Sequence, residues 1–238
     1  MSSDRAILDY QQKCHAHYAA SIGLPVPYTY PDGNPIRPLP PVQTKTGGLM
    51  IIGAYPSARF ESRVSPQDPK RRRLIPVADN LQPFGQEQYF DGVKVRTLTS
   101  GDTLREYLLN PLGVTLEDCW VTDLVKVFLY KRSHVDSVGE VVPDFNVPML
   151  REKFYQLGLK SLAWIQEEIQ LCKPKLIVTL GQEVAQVIQE KKSASADGLL
   201  VDQIVHLDAL NKYPAMHSPH PDACRRSEKW RLHLINQI

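Results

Sequence analysis

Three short, almost wholly apolar runs punctuate this chain, and much longer polar or mixed stretches separate them. "LMIIGAY" follows Gly47-Gly48, "DCWVTDLVKVF" spans 118–128 and turns polar at Thr122 and Asp123, and "KPKLIVTLG" ends in Gly181. Runs this brief, rich in branched residues and bounded by glycine or proline, predict strands buried on both faces. Elsewhere the apolar period is close to that of a helix. Ile7, Leu8, Tyr18 and Ile22 predict a helix over 4–22, and Ser100 or Asp102 caps a second that runs to about Asn110 and stops at Pro111 and Gly113. The longest lies over 146–172, where Val147, Leu150, Phe154, Leu157, Leu162, Ile165, Ile169 and Leu171 recur and Pro148 suits the first turn. "QEVAQVIQE" adds a helix after Gly181, and "LVDQIVHL" reads as a further strand or an edge strand. The last residues predict a short strand, a turn bearing His217 and His220, and a terminal helix with Trp230, Leu234 and Ile235 on one side.

Strands and helices alternating at these lengths predict an α/β fold of three layers, α/β/α, around a central, mainly parallel four-stranded sheet. Right-handed crossovers then gather the carboxyl ends of the strands at one edge, where open parallel sheets bind ligands. Four strand ends supply candidate chemistry there: the turn "GAYPSARF" with Tyr55, Ser57 and Arg59; Thr122, Asp123 and Lys126; Gly181 and Gln182; and His217 with His220.

Two segments interrupt the alternation. Pro25 to Pro41 holds seven prolines and no sustained period, which predicts an extended connector over the surface. Residues 1–45 are therefore expected to form a helix and connector packed on a main domain of 46–238. Residues 61–101 read as long and irregular, apart from a hairpin across "QYFDGVKVRTL" with its turn at Asp91-Gly92. Long irregular stretches in compact domains are usually functional or disordered. The densest basic cluster, "KRRR" at 70–73, lies in this stretch near the expected mouth, where it is either a phosphate-neutralising patch or a solvated charge run.

Composition changes this picture little. The 238 residues carry a formal net charge of +2, with 42% hydrophobic and 23% charged residues, so affinity for a polyanion has to come from local clusters. Cys14, Cys119, Cys172 and Cys224 are far apart, with no Cys-x-x-Cys pair and no signal-peptide pattern ahead of them. Reduced thiols in a cytoplasmic protein are expected, and spacing alone leaves convergence on a metal or iron–sulfur cluster open. No apolar run approaches the ~20 residues that span a bilayer, so no membrane association is expected.

Taken in order, "IIGAYPSARF", "VTDLVKVF", "KPKLIVTLG" and "HSPHPDACRR" resemble the motifs of the uracil-DNA glycosylase superfamily. In that family one strand ends in Gly-x-x-Pro, a second in an Asn-bearing pair, a third reads Pro-x-x-Ile-Val-x-Leu-Gly, and a His-Pro loop precedes the last helix. The resemblance covers roughly 46–236. It implies a uracil-DNA glycosylase-like domain acting in base excision repair. Such an enzyme is a hydrolase that binds DNA containing a damaged base, flips the base into a pocket and cleaves its bond to deoxyribose without a cofactor. Flipping costs a few kcal/mol, least for a mispaired base. The branch with an iron–sulfur cluster uses a close cysteine pair before the Gly-x-x-Pro strand; here only Cys14 precedes it, so neither cluster nor metal is expected. A monomer with no obligatory protein partner is expected.

The resemblance also distributes roles. Gly53 opens the Gly-x-x-Pro turn, whose third position often carries an Asp or Asn that handles water; here it is Tyr55, and a phenol with pKa near 10 is a poor base. The turn is similar to the Gly-Ser-Phe-Pro-Ser subgroup related to hypoxanthine and uracil glycosylases, in which a downstream Asn handles water. Asp79 and Asn80 are the matching candidates, with an ordinary loop turn as the alternative. Phe84 resembles the aromatic on which the base stacks, and Tyr55 supplies a second wall; a loop residue tucked into the core and a plain strand-end tyrosine are the alternatives. Asp123 occupies the slot of a base-reading Asn, but an ionised carboxylate only accepts, which leaves the identity of the base open. His220, in the His-Pro-x-x-x-x-Arg pattern, is preferred over His217 as the histidine that donates to the base. Ser57, Arg59, Ser218, Arg225 and Arg226 would hold flanking phosphates, or be simply solvated. Two other functions stay open: a catalytically silent DNA- or nucleotide-binding member, and an unrelated doubly wound enzyme for a small phosphorylated ligand. The second lacks any Gly-x-Gly-x-x-Gly or Walker loop.

Overall fold

A computed structural model describes residues 3–81, 84, 88–90, 94–97, 100–146, 148–200 and 203–230. The first apolar run is β1 (Leu49–Gly53), from which the chain enters a long antiparallel hairpin of β2 (Ala58–Ser65) and β3 (Asp68–Asp79). A small hairpin of β4 (Gln88–Phe90) and β5 (Val95–Thr97) follows, as the sequence predicts, although its turn lies outside the described residues. The second and third apolar runs are β6 (Cys119–Asp123) and β7 (Leu176–Leu180), and β8 (Val205–His206) and β9 (Pro214–Ser218) complete the strands. Helices α1 (Ser3–Ser21), α2 (Ser100–Leu104), α3 (Arg132–Val141), α4 (Phe154–Cys172), α5 (Gln182–Ile188), α6 (Ala196–Leu199) and α7 (Pro221–Arg226) surround them. α2 runs straight into a π-helical turn, Arg105–Leu109, so the helix expected to reach Asn110 does so with a change of pitch.

The central sheet has five strands in the order β6-β1-β7-β9-β8. The four expected strands pair in parallel, and β8 adds a two-residue antiparallel edge. β1 lies between β6, which follows it in sequence, and β7, so the strand order reverses at β1 and the crevice at its carboxyl end is the topological switch point.

Alternate residues of each strand supply two cores. Met50, Ile52, Trp120, Ile177 and Ala215 face one cluster, covered by α1 and α4; Ile51, Val121, Val178 and Met216 face another, covered by Leu104, Leu108 and Leu109. A strand whose two faces are both buried loses the polar half of its alternation, which is why these strands read as continuous apolar runs.

Three expectations change. The proline connector is half sunk instead of lying on the surface: Tyr28, Tyr30 and Ile36 are buried, and Tyr28 Oη donates to the Phe128 carbonyl at 2.8 Å. The stretch expected to be irregular is dominated by the β2–β3 hairpin. Its "KRRR" residues sit beside the tip of that hairpin, roughly 25 Å along β3 from Asn80 at a rise of ~3.3 Å per residue, and not at the mouth. Arg71 and Arg73 pair there with Glu140 of α3 at 3.1 and 2.7 Å. The longest helix starts at Phe154 after a 3-10 turn, Leu150–Lys153, and Val147, Leu234 and Ile235 lie outside the described residues.

Candidate functional site

At the switch point β1 stops at Gly53 and the chain turns through Ala54, Tyr55, Pro56 and Ser57 into β2. A cavity of about 410 Å3 opens here, within the ~300–1,000 Å3 range of small-molecule sites. Tyr55, Ser57, Asn80, Phe84, Asp123 and His220 all line it, and Phe60, Phe128 and Leu39 supply apolar wall. Six candidates from four separated stretches thus share one hollow.

Asp123, the last residue of β6, is only 7% exposed. Among the described residues its carboxylate takes part in no hydrogen bond or ion pair. It presses so closely on β1 that a Cβ on Gly53 would stand 2.2 Å from Oδ1, so any side chain there would displace the carboxylate. Burial pushes the Asp123 pKa up to about 7, opposed by the nearby Lys126 ammonium and reinforced by Glu168.

Phe84 stands beside it, its Cζ within 3.4 Å of that same Cβ position. Its backbone is left-handed, with φ of 54°, a conformation side chains with a Cβ rarely adopt. Its carbonyl approaches Gly101 so nearly that a Cβ there would lie 2.0 Å away. Two glycines therefore frame the aromatic.

Tyr55 accepts a hydrogen bond from Arg151 Nε at 3.1 Å, and the guanidinium lies 5.1 Å from its ring and 5.0 Å from that of Phe154. Arg151 also pairs with Glu183. Burial raises the Tyr55 pKa, with Arg151 opposing, so the phenol keeps its proton at neutral pH. Arg151, Lys131, His134 and Glu183 line the cavity although motif reading did not single them out. Glu183 follows the strand-end glycine by two positions. The adjacent Gln182, expected at this edge, instead donates to the Ala194 carbonyl at 3.0 Å. Nothing local in "MLREKF" marks Arg151.

The paired candidates separate cleanly. Asn80 Nδ2 donates to Ser57 Oγ at 3.0 Å on the cavity rim. Asp79 faces the connector, accepting from Tyr30 Oη at 2.9 Å and from the Arg37 amide at 3.3 Å, because successive residues of an extended chain point to opposite sides. His220 caps α7: its Nδ1 accepts from the Asp222 amide at 3.2 Å, which assigns the ring proton to Nε2. Burial, the largest influence, holds its pKa below the ordinary value, so it is a neutral donor. His217 lies inside β9 instead of in the turn, 1% exposed, its Nδ1 2.6 Å from Oγ1 of its register partner Thr179. It does not line the cavity.

Of the phosphate candidates, Ser57, Arg59, Arg225 and Arg226 are exposed. Ser218, by contrast, is fully buried, with its carbonyl accepting from the Gly181 amide at 2.7 Å. Lys126 lies beneath the cavity and not in it. Fully buried, it donates to Thr122 Oγ1 at 2.7 Å and the Asp123 carbonyl at 3.1 Å and pairs with Glu168 of α4. Glu168 in turn accepts from Trp120 Nε1 at 3.0 Å and from Tyr10 of α1. The four cysteines are buried free thiols.

The family model of the uracil DNA glycosylase superfamily matches residues 41–237, more than four-fifths of the chain. The chain belongs to the uracil DNA glycosylase superfamily. None of the curated proteins matches it. For this superfamily member, the matched span contains the whole sheet and every cavity residue named above except Leu39, which the proline connector contributes. Among the described residues no helix is long and apolar enough to cross a membrane.

Proposed function

We propose that this protein is a DNA glycosylase that receives one flipped nucleobase, uracil or another deaminated base, in the switch-point cavity and hydrolyses its bond to deoxyribose. Membership of the superfamily supports the reading, and one observation carries it: Tyr55, Asn80, Phe84, Asp123 and His220 line a single hollow. The base stacks on Phe84, a contact worth ~1–3 kcal/mol, with Tyr55 as the second wall. Asp123 meets its hydrogen-bonding edge. The C1′–N bond breaks with its electron pair leaving on the base, and His220 Nε2–H donates to the base carbonyl where that charge gathers. Asn80, its amide oriented by Ser57, aligns the water whose oxygen bonds C1′ and whose proton passes to solvent. Free base and an abasic site result. Ser57, Arg59, Arg225 and Arg226 take the flanking phosphates. Asp79, His217 and Ser218 have structural roles in this reading.

Duplex and single-stranded oligonucleotides containing uracil, hypoxanthine or xanthine, scored for strand scission at abasic sites, test it. Product is expected from at least one of them, reduced by ~100-fold or more in His220→Ala and in Asn80→Ala, the usual scale for losing one donor to a developing anion. A second reading, a binding member without catalysis, draws on Tyr55 standing where a water-handling carboxylate or amide is common. Tight binding with no abasic product from any base would establish it.

A further inference from the structure

We propose that Asp123 reads the base as a neutral carboxylic acid, so that the cavity prefers bases presenting an N–H beside a C=O and loses that preference when the acid ionises. The inference rests on the cavity being a nucleobase site and adds the protonation state that selects the substrate class.

The geometry is that of a polar side chain held for a ligand. Asp123 is 7% exposed, lines the cavity beside Phe84, and is met by no donor among the described residues. Two of the cations around the cavity are already engaged, and the third, Lys131 just ahead of α3, lines the wall without forming an ion pair with Asp123 among the described residues. Lys126, on the same loop, is bound to Thr122, the Asp123 carbonyl and Glu168 of α4. Arg151, ahead of α4, is bound to Glu183 of α5 and to Tyr55 from the β1 turn. His220 of α7 is neutral with its Nδ1 occupied. An ionised Asp123 would be a buried charge sharing the cavity with neutral Tyr55, with His134 and His220 that burial holds below their ordinary pKa, with the carboxylates of Glu183 and Asp222, and with Lys131, and among the described residues it has no ion pair with any cation. Burial accordingly brings its pKa up to about 7.

The acid form presents one donor and one acceptor side by side, the pair that an asparagine amide offers. It therefore matches the edge shared by uracil, hypoxanthine and xanthine, donating to the C=O and accepting from the adjacent N–H. The ionised form presents acceptors only, and suits an edge with two neighbouring donors, as in guanine.

The test uses oligonucleotides carrying one hydrolysis-resistant 2′-fluoro nucleoside, with uracil or guanine as base. Affinity is measured from pH 5.5 to 8.5 against the same strand with an abasic analogue, so that only the base-dependent part is compared. In the wild type the uracil-dependent affinity should fall about tenfold per pH unit above about 7, as the acid fraction does. Guanine also presents N1–H beside C6=O and so meets the acid form, but its N1–H and exocyclic amine still meet the ionised form, so the guanine-dependent affinity should fall much less than that for uracil over the same range. Asp123→Asn should bind uracil with no such fall. A pH-independent preference for uracil in the wild type, or an unchanged fall in Asp123→Asn, overturns the proposal while leaving the cavity a base site. No base-dependent affinity at any pH overturns both. Carboxyl carbon NMR of the wild type reads Asp123 without any ligand: a midpoint near 7 supports the proposal, and one near 4 defeats it.

Discussion

Lys126 and Asp123 are three residues apart, ionisable and buried, yet the protein treats them in opposite ways. Beneath the cavity, Lys126 and Glu168 meet each other and gather Thr122, Trp120 and Tyr10 around them. Inside the cavity, Asp123 has the same low-dielectric surroundings and, among the described residues, no donor at all. A closed polar network at that depth holds elements together, here α1, α4 and β6. A side chain left unmet at that depth is costly unless a ligand completes it. The difference teaches that burial of charge does not by itself indicate a site; incomplete pairing at a cavity wall does.

The comparison is broken most severely by removing one member of the closed network. Lys126→Met strands Glu168 and should lower stability by ~3–5 kcal/mol, read by denaturant or thermal unfolding, whereas Lys126→Met with Glu168→Leu together should recover much of the loss. Gly53→Ala should act next most strongly. Its new Cβ, 2.2 Å from Asp123 Oδ1, forces the carboxylate or the strand to move, at ~1–3 kcal/mol of stability and with loss of base-dependent affinity. The gentlest probe is the pH dependence of stability in Asp123→Asn against the wild type. Asp123 in the unfolded chain loses its proton near 3.8 and in the folded chain near 7, so between these values folding takes up a proton and stability falls as pH rises. The wild type should lose at most ~1.4 kcal/mol per pH unit relative to Asp123→Asn over that window, and the difference should level off above it. A gap that instead widens with falling pH would mean that Asp123 is stabilised as a carboxylate.

The sheet was readable because its strands are buried on both sides and so appear as uninterrupted apolar runs. The β2–β3 hairpin was not, for the complementary reason. Most of its residues are partly or fully exposed, so charge occurs on both faces, and Pro69 and Pro76 argue locally against a strand. It is held by pairing with itself and by Glu140 of α3 gripping Arg71 and Arg73, contacts that span some 70 positions of sequence. The cavity was half readable. Tyr55, Phe84, Asp123 and His220 follow strand ends or motifs, while Arg151 reaches Tyr55 across 96 positions with no local mark. Which of two neighbouring residues reaches the cavity depends on contacts outside the local sequence. Asp79 against Asn80 turns on which side of an extended chain each faces, and His217 against His220 on where β9 stops pairing.

From residue order alone came the alternation of apolar runs and helical periods, hence the layered α/β architecture, the edge where chemistry collects and the family. Those features are local, since a run or a period needs only neighbours along the chain. Folding in three dimensions settled which histidine and which member of the Asp79-Asn80 pair reach the hollow, that Lys126 is spent on Glu168, and that Asp123 stays unmet. These outcomes depend on contacts between distant segments and on the dielectric they create, and no stretch of sequence contains either.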